Sequence, residues 1–117
     1  MEFATLCQWA EDELKAVTRV LPKEVQKAAA LISLSLESRP SDSNLAGDEL
    51  GVFEGHSMDE EADPANSPRI RLFLTNLWEW VEGDEHTFRD QVGLTYLHEL
   101  GHYFGWDEDD LSARGLE

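Results

Sequence analysis

Basic residues are scarce in this chain and cysteine is nearly absent. Nine Lys and Arg stand against 25 Asp and Glu in 117 residues, a formal charge of −16, and Cys7 is the single cysteine. Nucleic-acid binding is excluded as an expectation, because a binder needs a basic patch to displace counterions from phosphates. One thiol cannot close an internal disulfide, so packing must hold the fold, with a metal as the remaining staple. Cys7 itself reads as a small packed residue on a helix rather than a nucleophile. No apolar run approaches the roughly 20 residues that cross a bilayer. The first residues carry acids where a signal peptide carries bases, so the expectation is a cytoplasmic protein with no membrane partner. The length suits one domain over residues 1–117, with one core.

The missing bases are missing from one part of the chain. Residues 1–40 hold six acids and five bases, whereas residues 41–117 hold nineteen acids and four bases. Such a field has two readings: a solvated surface that keeps the protein apart from its neighbours, or an attractor of cations and basic substrates.

Phe3, Leu6, Ala10, Leu14, Val17 and Leu21 recur at three- and four-residue spacing and predict an amphipathic helix over Phe3 to Val20. Pro22 ends it and opens a short second helix through Ala29. Residues 31–37 alternate, with Ile32, Leu34 and Leu36 on one face of a predicted strand. A short strand over Leu50 to Glu54 follows a polar loop. A long acidic stretch from Gly55 to Pro68 precedes a third strand over Arg69 to Thr75. There Ile70, Leu72 and Leu74 face one way and Arg69, Arg71 and Phe73 the other. Trp78 and Trp80 lie in a helical turn over Asn76 to Val81 and read as core or rim packing.

The last long helix is predicted to open with Thr87-x-x-Asp90 as a capping box and to run to about Phe104. At about 100° per residue, Gly93, Tyr96, Leu97, Leu100 and Phe104 share one arc, while Gln91, Thr95, His98 and His102 share the opposite one. His98-Glu99-Leu100-Gly101-His102 is H-E-x-x-H. Two histidines four apart on a helix lie one above the other and can reach one Zn²⁺. Glu99, about a quarter-turn away, can take the proton of a metal-bound water without ligating the metal. The match extends to H-E-x-x-H-x-x-G-x-x-E. Gly105 permits the left-handed conformation that reverses the chain, so that Glu108 can return as third ligand, with Asp107 as its rival. Three ligands leave a fourth position for water, the catalytic arrangement. His56 falls in no metal spacing and reads as a surface residue.

Metzincins place a third histidine where Glu108 stands and a methionine turn beyond it, but the methionines here, Met1 and Met58, are both upstream. Gluzincins draw a glutamate from a helix well downstream of the motif, and the chain ends at Glu117. Neither scheme fits. The chain instead resembles the bacterial family of minimal zincin-like metallopeptidases, the mini-zincins. The resemblance is carried by Leu21-Pro-Lys-Glu-Val25, Leu50-Gly-Val-Phe-Glu-Gly55, Pro68-Arg-Ile-Arg-Leu-Phe73 and Leu97-His-Glu-Leu-Gly-His-Tyr-Phe-Gly-Trp-Asp-Glu108, and it covers most of residues 21–117. It implies an α/β (α+β) fold, in which a small three-stranded sheet packs on the N-terminal helices and the motif helix. It also implies a zinc held by His98, His102 and an acid, with Glu99 as base. The family usually has aspartate where Glu108 stands, and often a basic residue in the loop after Gly55 that is strongly acidic here.

The function expected is zinc-dependent hydrolysis of peptide bonds, with peptides or unfolded proteins, basic ones in particular, as substrates. Tyr103, His86 and Arg114 are candidate oxyanion donors. With no room for a second lobe, the site should be shallow, and a partner protein would complete the cleft. The alternatives are a metal-stabilised acidic interaction module without catalysis and an acidic mimic of nucleic acid.

Overall fold

Leu6, Ala10 and Leu14, one turn apart, form the buried stripe of helix α1 (Phe3–Arg19), as the spacing predicts, while Phe3 stays exposed. Pro22 caps helix α2 (Lys23–Ala29) rather than entering it. The Gln26 amide closes the bend between the two by donating to Leu21 O at 2.7 Å. The computed structural model describes residues 1–106 and 108–113, the latter without the side chains of Glu108, Leu111 and Ser112.

Three strands follow: β1 (Ser33–Glu37), β2 (Gly51–Glu54) and β3 (Arg69–Phe73), ordered β1-β3-β2. β1 runs parallel to β3 and β2 antiparallel to it. β1 starts two residues later than the alternation suggests, because its first ladder contact is Ser33 N–H to Pro68 O; Leu31 is left outside, 72% exposed. β3 ends at Phe73 instead of Thr75, since Leu74 opens helix α3 (Leu74–Trp80). Trp78 packs against Trp9 and Phe88, but Trp80 is exposed, against the packing role expected of it.

The central position of β3 overrides its alternation. Ile70 and Leu72 are buried as predicted, yet Arg71 and Phe73 are buried too. A strand with neighbours on both edges and helices on one face needs only its other face covered to vanish from solvent. Here Glu37, Asp42 and Glu54 cover it by pairing with the Arg71 guanidinium. Burying that cation among three carboxylates satisfies its planar donors. Its proton is held more firmly than usual, first by the bonds to Glu37 and then by those to Asp42. Asn76 plays the matching part for the loop before β2: its amide donates to Gly47 O and Glu49 O.

Helix α4 (Glu85–Phe104) closes the core against α1, α3 and the sheet. Its cap is Asp84, not Thr87: the Asp84 carboxylate accepts both the Thr87 N–H and the Thr87 hydroxyl. A short helix α5 spans Glu108–Ala113. The result is an α+β fold with a three-stranded mixed sheet.

Candidate metal centre

Four residues of α4 advance the helix by about 6 Å and just over one turn, so His98 and His102 must be neighbours. Their ring centroids lie 5.0 Å apart and nearly perpendicular. Glu99 Oε1 stands 3.6 Å from His102 Nε2. Ligand-capable atoms of His98, Glu99 and His102 all fall within 4.8 Å of one another, the only such cluster found among the described residues. His56 is not in it; its Nδ1 rests 3.1 Å from Ser57 O.

The three side chains differ in exposure. His102 keeps 52% of its side chain in solvent, whereas Glu99 keeps 11%. Thr95 is buried as well, so the division of α4 into an apolar arc and an open arc does not hold as predicted. Leu97 and Phe104, assigned to the buried arc, are only half-buried. The reason is β2, which packs on the polar arc of α4 and covers Thr95 and Glu99.

That cover has polar consequences. Phe73 N–H bonds to Leu50 O, which sets the parity of the antiparallel ladder: Val52 and Glu54 turn their backbone groups toward β3, and Gly51 and Phe53 turn theirs away. Burial pushes the Glu99 pKa up to about 7, and the outward Phe53 amide offsets only part of that rise. A carboxyl poised near neutrality can both take and return a proton. His102 is shifted the opposite way, chiefly by burial and then by repulsion from His98. Both effects favour the neutral imidazole, the form that binds a metal. Two imidazoles four residues apart on one helix face, beside a screened carboxylate, fit a zinc ion in donor chemistry.

The motif helix ends as its glycine requires. Gly105 adopts φ 72°, ψ 20°, and the Trp106 N–H reaches back to Gly101 O at 2.9 Å. This left-handed cap turns the chain, and the backbone of Glu108 then begins α5. The Glu108 side chain, with Asp107 and Arg114 entire, lies outside the described residues. The acidic loop meets the same end of α4. Met58 N–H donates to Tyr103 O at 2.8 Å, and Asp59 Oδ2 lies 3.5 Å from where a Cβ on Gly105 would stand.

Of the oxyanion candidates, His86 precedes His98 by about 18 Å along the helix axis, and it faces Asp90 instead. Tyr103 is buried, its ring edge-on to Phe53. Cys7 is half-buried, and burial followed by Glu11 raises its thiol pKa, which suits a packed residue rather than a nucleophile. The functional group missed from sequence is the Phe53 amide. Its signal was the Gly51-Val52-Phe53 run, legible as a strand but not as a partner of Glu99. No helix is long and apolar enough to cross a membrane.

Residues 30–116 match the model of a family described as zincin-like metallopeptidase. No curated protein matches the chain.

Proposed function

The chain belongs to the zincin-like metallopeptidase family, and from that premise we propose that it hydrolyses peptide bonds, with Glu99 as general base beside a zinc held by His98, His102 and Glu108. The observation that carries this reading is the unequal setting of the H-E-x-x-H side chains: two open imidazoles and one buried carboxyl. A purely structural metal site has no use for a carboxyl held near neutrality.

When bound, zinc supplies Lewis-acid polarisation of a water and of the scissile carbonyl. His98 and His102 offer imidazole nitrogens from one helix face. Glu99 takes a proton from the attacking water and passes it to the leaving amine. Glu108, beyond the Gly105 turn in sequence, would supply the third ligand.

Substrate is an extended or unfolded peptide. β2 ends the sheet, and its outward edge would take an extended peptide as a further strand. Basic side chains are favoured, because the loop carrying Asp59, Glu60 and Glu61 is tied to the end of α4 by the Met58–Tyr103 bond. With His102 so exposed, the site is open, and a partner protein that covers it would raise activity.

The test is metal content together with turnover of a library of unstructured fluorogenic peptides. One zinc per chain is expected, with turnover abolished by chelation and restored by added zinc. Stoichiometric zinc without turnover of any peptide would leave the interaction-module reading in its place.

A further inference from the structure

β1 forms the other edge of the sheet, and no strand among the described residues closes it. Ser33 N–H bonds to Pro68 O, and the parallel register sets Ser33 against Arg69. In such a ladder alternate residues direct both backbone groups to the same side. Ser33, Ser35 and Glu37 therefore turn theirs toward β3, while Leu34 and Leu36 each turn an N–H and a C=O away from the sheet. Exposed edges are ordinarily blunted by lysine, proline or a bulge. Ser33–Glu37 contains neither residue, its register runs unbroken, and its one charge, on Glu37, is paired with Arg71. Beside this edge lies a groove of about 560 Å³ between β1, α1 and α4. Leu14, Leu34 and Tyr96 supply its apolar lining, and Lys15 and Arg19 line it from α1 together with Glu11. Leu34 is 44% exposed. Neither cation forms an ion pair among the described residues. They open a basic stretch of an acidic chain: between Lys15 and Leu31 stand Lys15, Arg19, Lys23 and Lys27 against Glu24 alone.

We propose that the β1 edge and its groove dock an extended segment of a partner protein, one that carries an apolar side chain flanked two residues away by acids. Laid about 4.8 Å from β1, such a segment continues the sheet and pairs its main chain with Leu34 and Leu36. Its alternate side chains fall on the helix face. There the apolar one enters between Leu14, Leu34 and Tyr96, and the acids reach Lys15 and Arg19. A second copy of this chain suits the edge less well. Pairing β1 with itself about a two-fold axis turns two sets of Lys15 and Arg19 toward one another, and each copy carries a net charge of −16. The site is at the sheet edge opposite β2 and does not rest on the peptidase reading.

The experiment titrates the whole chain, zinc-loaded and chelator-treated, against a fluorescein-labelled, end-capped peptide Thr-Asp-Thr-Leu-Thr-Asp-Thr, followed by fluorescence anisotropy. Equal binding with and without zinc is expected. The same peptide with lysine for aspartate is expected to bind about tenfold more weakly, and the double variant Lys15→Glu/Arg19→Glu to reverse that order. Leu34→Pro removes an outward N–H without touching the ladder to β3 and is expected to weaken binding by about tenfold. Should that variant fail to fold, N-methylation of alternate amides in the peptide tests the main-chain pairing on the unaltered protein, with a loss of about the same size expected. Amide resonances of Leu34 and Leu36 should move on binding, and those of Val52 and Phe53 should not. The proposal is overturned by absence of binding up to about 1 mM peptide, by equal affinity for the aspartate and lysine peptides, or by an N-methylated peptide that binds as well as its parent. Binding that requires zinc, or that moves the β2 resonances instead, would place the peptide at the metal centre and also overturn it. So would sedimentation of the free chain as a dimer that Leu34→Pro dissociates, since a second copy would then cover the edge.

Discussion

Glu99 Oε1 and His102 Nε2 lie 3.6 Å apart, yet one side chain is 11% exposed and the other 52%. A single helical face thus holds a group shielded from water beside a group that water reaches. The shield includes the edge strand β2, whose Phe53 amide offsets part of the rise that burial gives the Glu99 pKa.

That arrangement costs stability in the metal-free protein. Glu99 has its pKa raised by burial from 4.5 to about 7, so the folded state binds its proton more tightly than the unfolded state does. The contribution is fully present below about 4.5 and is lost as pH rises through about 7. Glu99→Gln is neutral throughout. In chelator-treated protein it is expected to exceed wild type in stability by about 3 kcal/mol at alkaline pH and to match it at acid pH. Denaturant unfolding of both proteins across the range checks this; a constant difference at all pH values would contradict it.

The third ligand is tested by metal affinity. Glu108→Ala is expected to weaken zinc binding by more than the roughly 10–100-fold that losing an outer-shell partner costs, while Asp107→Ala leaves it within about threefold. Competition with a chromophoric chelator measures both. The reverse order would make Asp107 the ligand.

How much of this was legible in the sequence depends on which neighbours a residue acquires. The buried stripe of α1 and the spacing of His98 and His102 depend on one helix alone, and the periodicity revealed both. Gly105 was legible for the same reason, since a left-handed cap is local. Thr95 was misplaced on an open arc because its burial comes from β2, some 45 residues away in sequence, which helical arithmetic does not contain. Arg71 was placed only on the face opposite Ile70 and Leu72, and its burial stayed hidden for a similar reason. Alternation cannot reveal that Glu37, Asp42 and Glu54 converge on it. Thr87 lost the cap to Asp84 because two side chains of the same capability stood within one turn of the helix start.

Arg71 offers a test of the sheet that carries the site. Arg71→Met leaves Glu37, Asp42 and Glu54 facing one another without their cation and is expected to destabilise the protein by about 3 kcal/mol near neutral pH. The pKa values of Glu37 and Asp42 are lowered, in each mainly by the hydrogen bonds from Arg71. Their contribution is therefore present above the ordinary carboxylate range and lost as pH falls below it. The penalty of Arg71→Met should accordingly shrink at acid pH. Thermal melts of both proteins near neutrality and at pH 3 measure it, and an equal penalty at both would contradict the cluster's role.

The acidic second half of the chain is expected to set the substrate preference. Lysine-rich peptides are expected to be cleaved with higher kcat/KM than glutamate-rich ones. The advantage should fall by about threefold or more between roughly 0.05 M and 0.5 M salt as screening shortens the field. Rates indifferent to peptide charge and to salt would mean that the acids only keep the surface solvated.

The central claim is that Glu99 is the base of a peptidase. It is tested most directly by comparing kcat of wild type and Glu99→Gln on one unstructured peptide, at matched zinc occupancy determined by metal analysis of the same samples. A general base contributes typically about 10²–10⁴-fold, so Glu99→Gln should lower kcat by that factor while binding zinc as wild type does. Equal kcat in the two proteins at equal zinc content would contradict the claim.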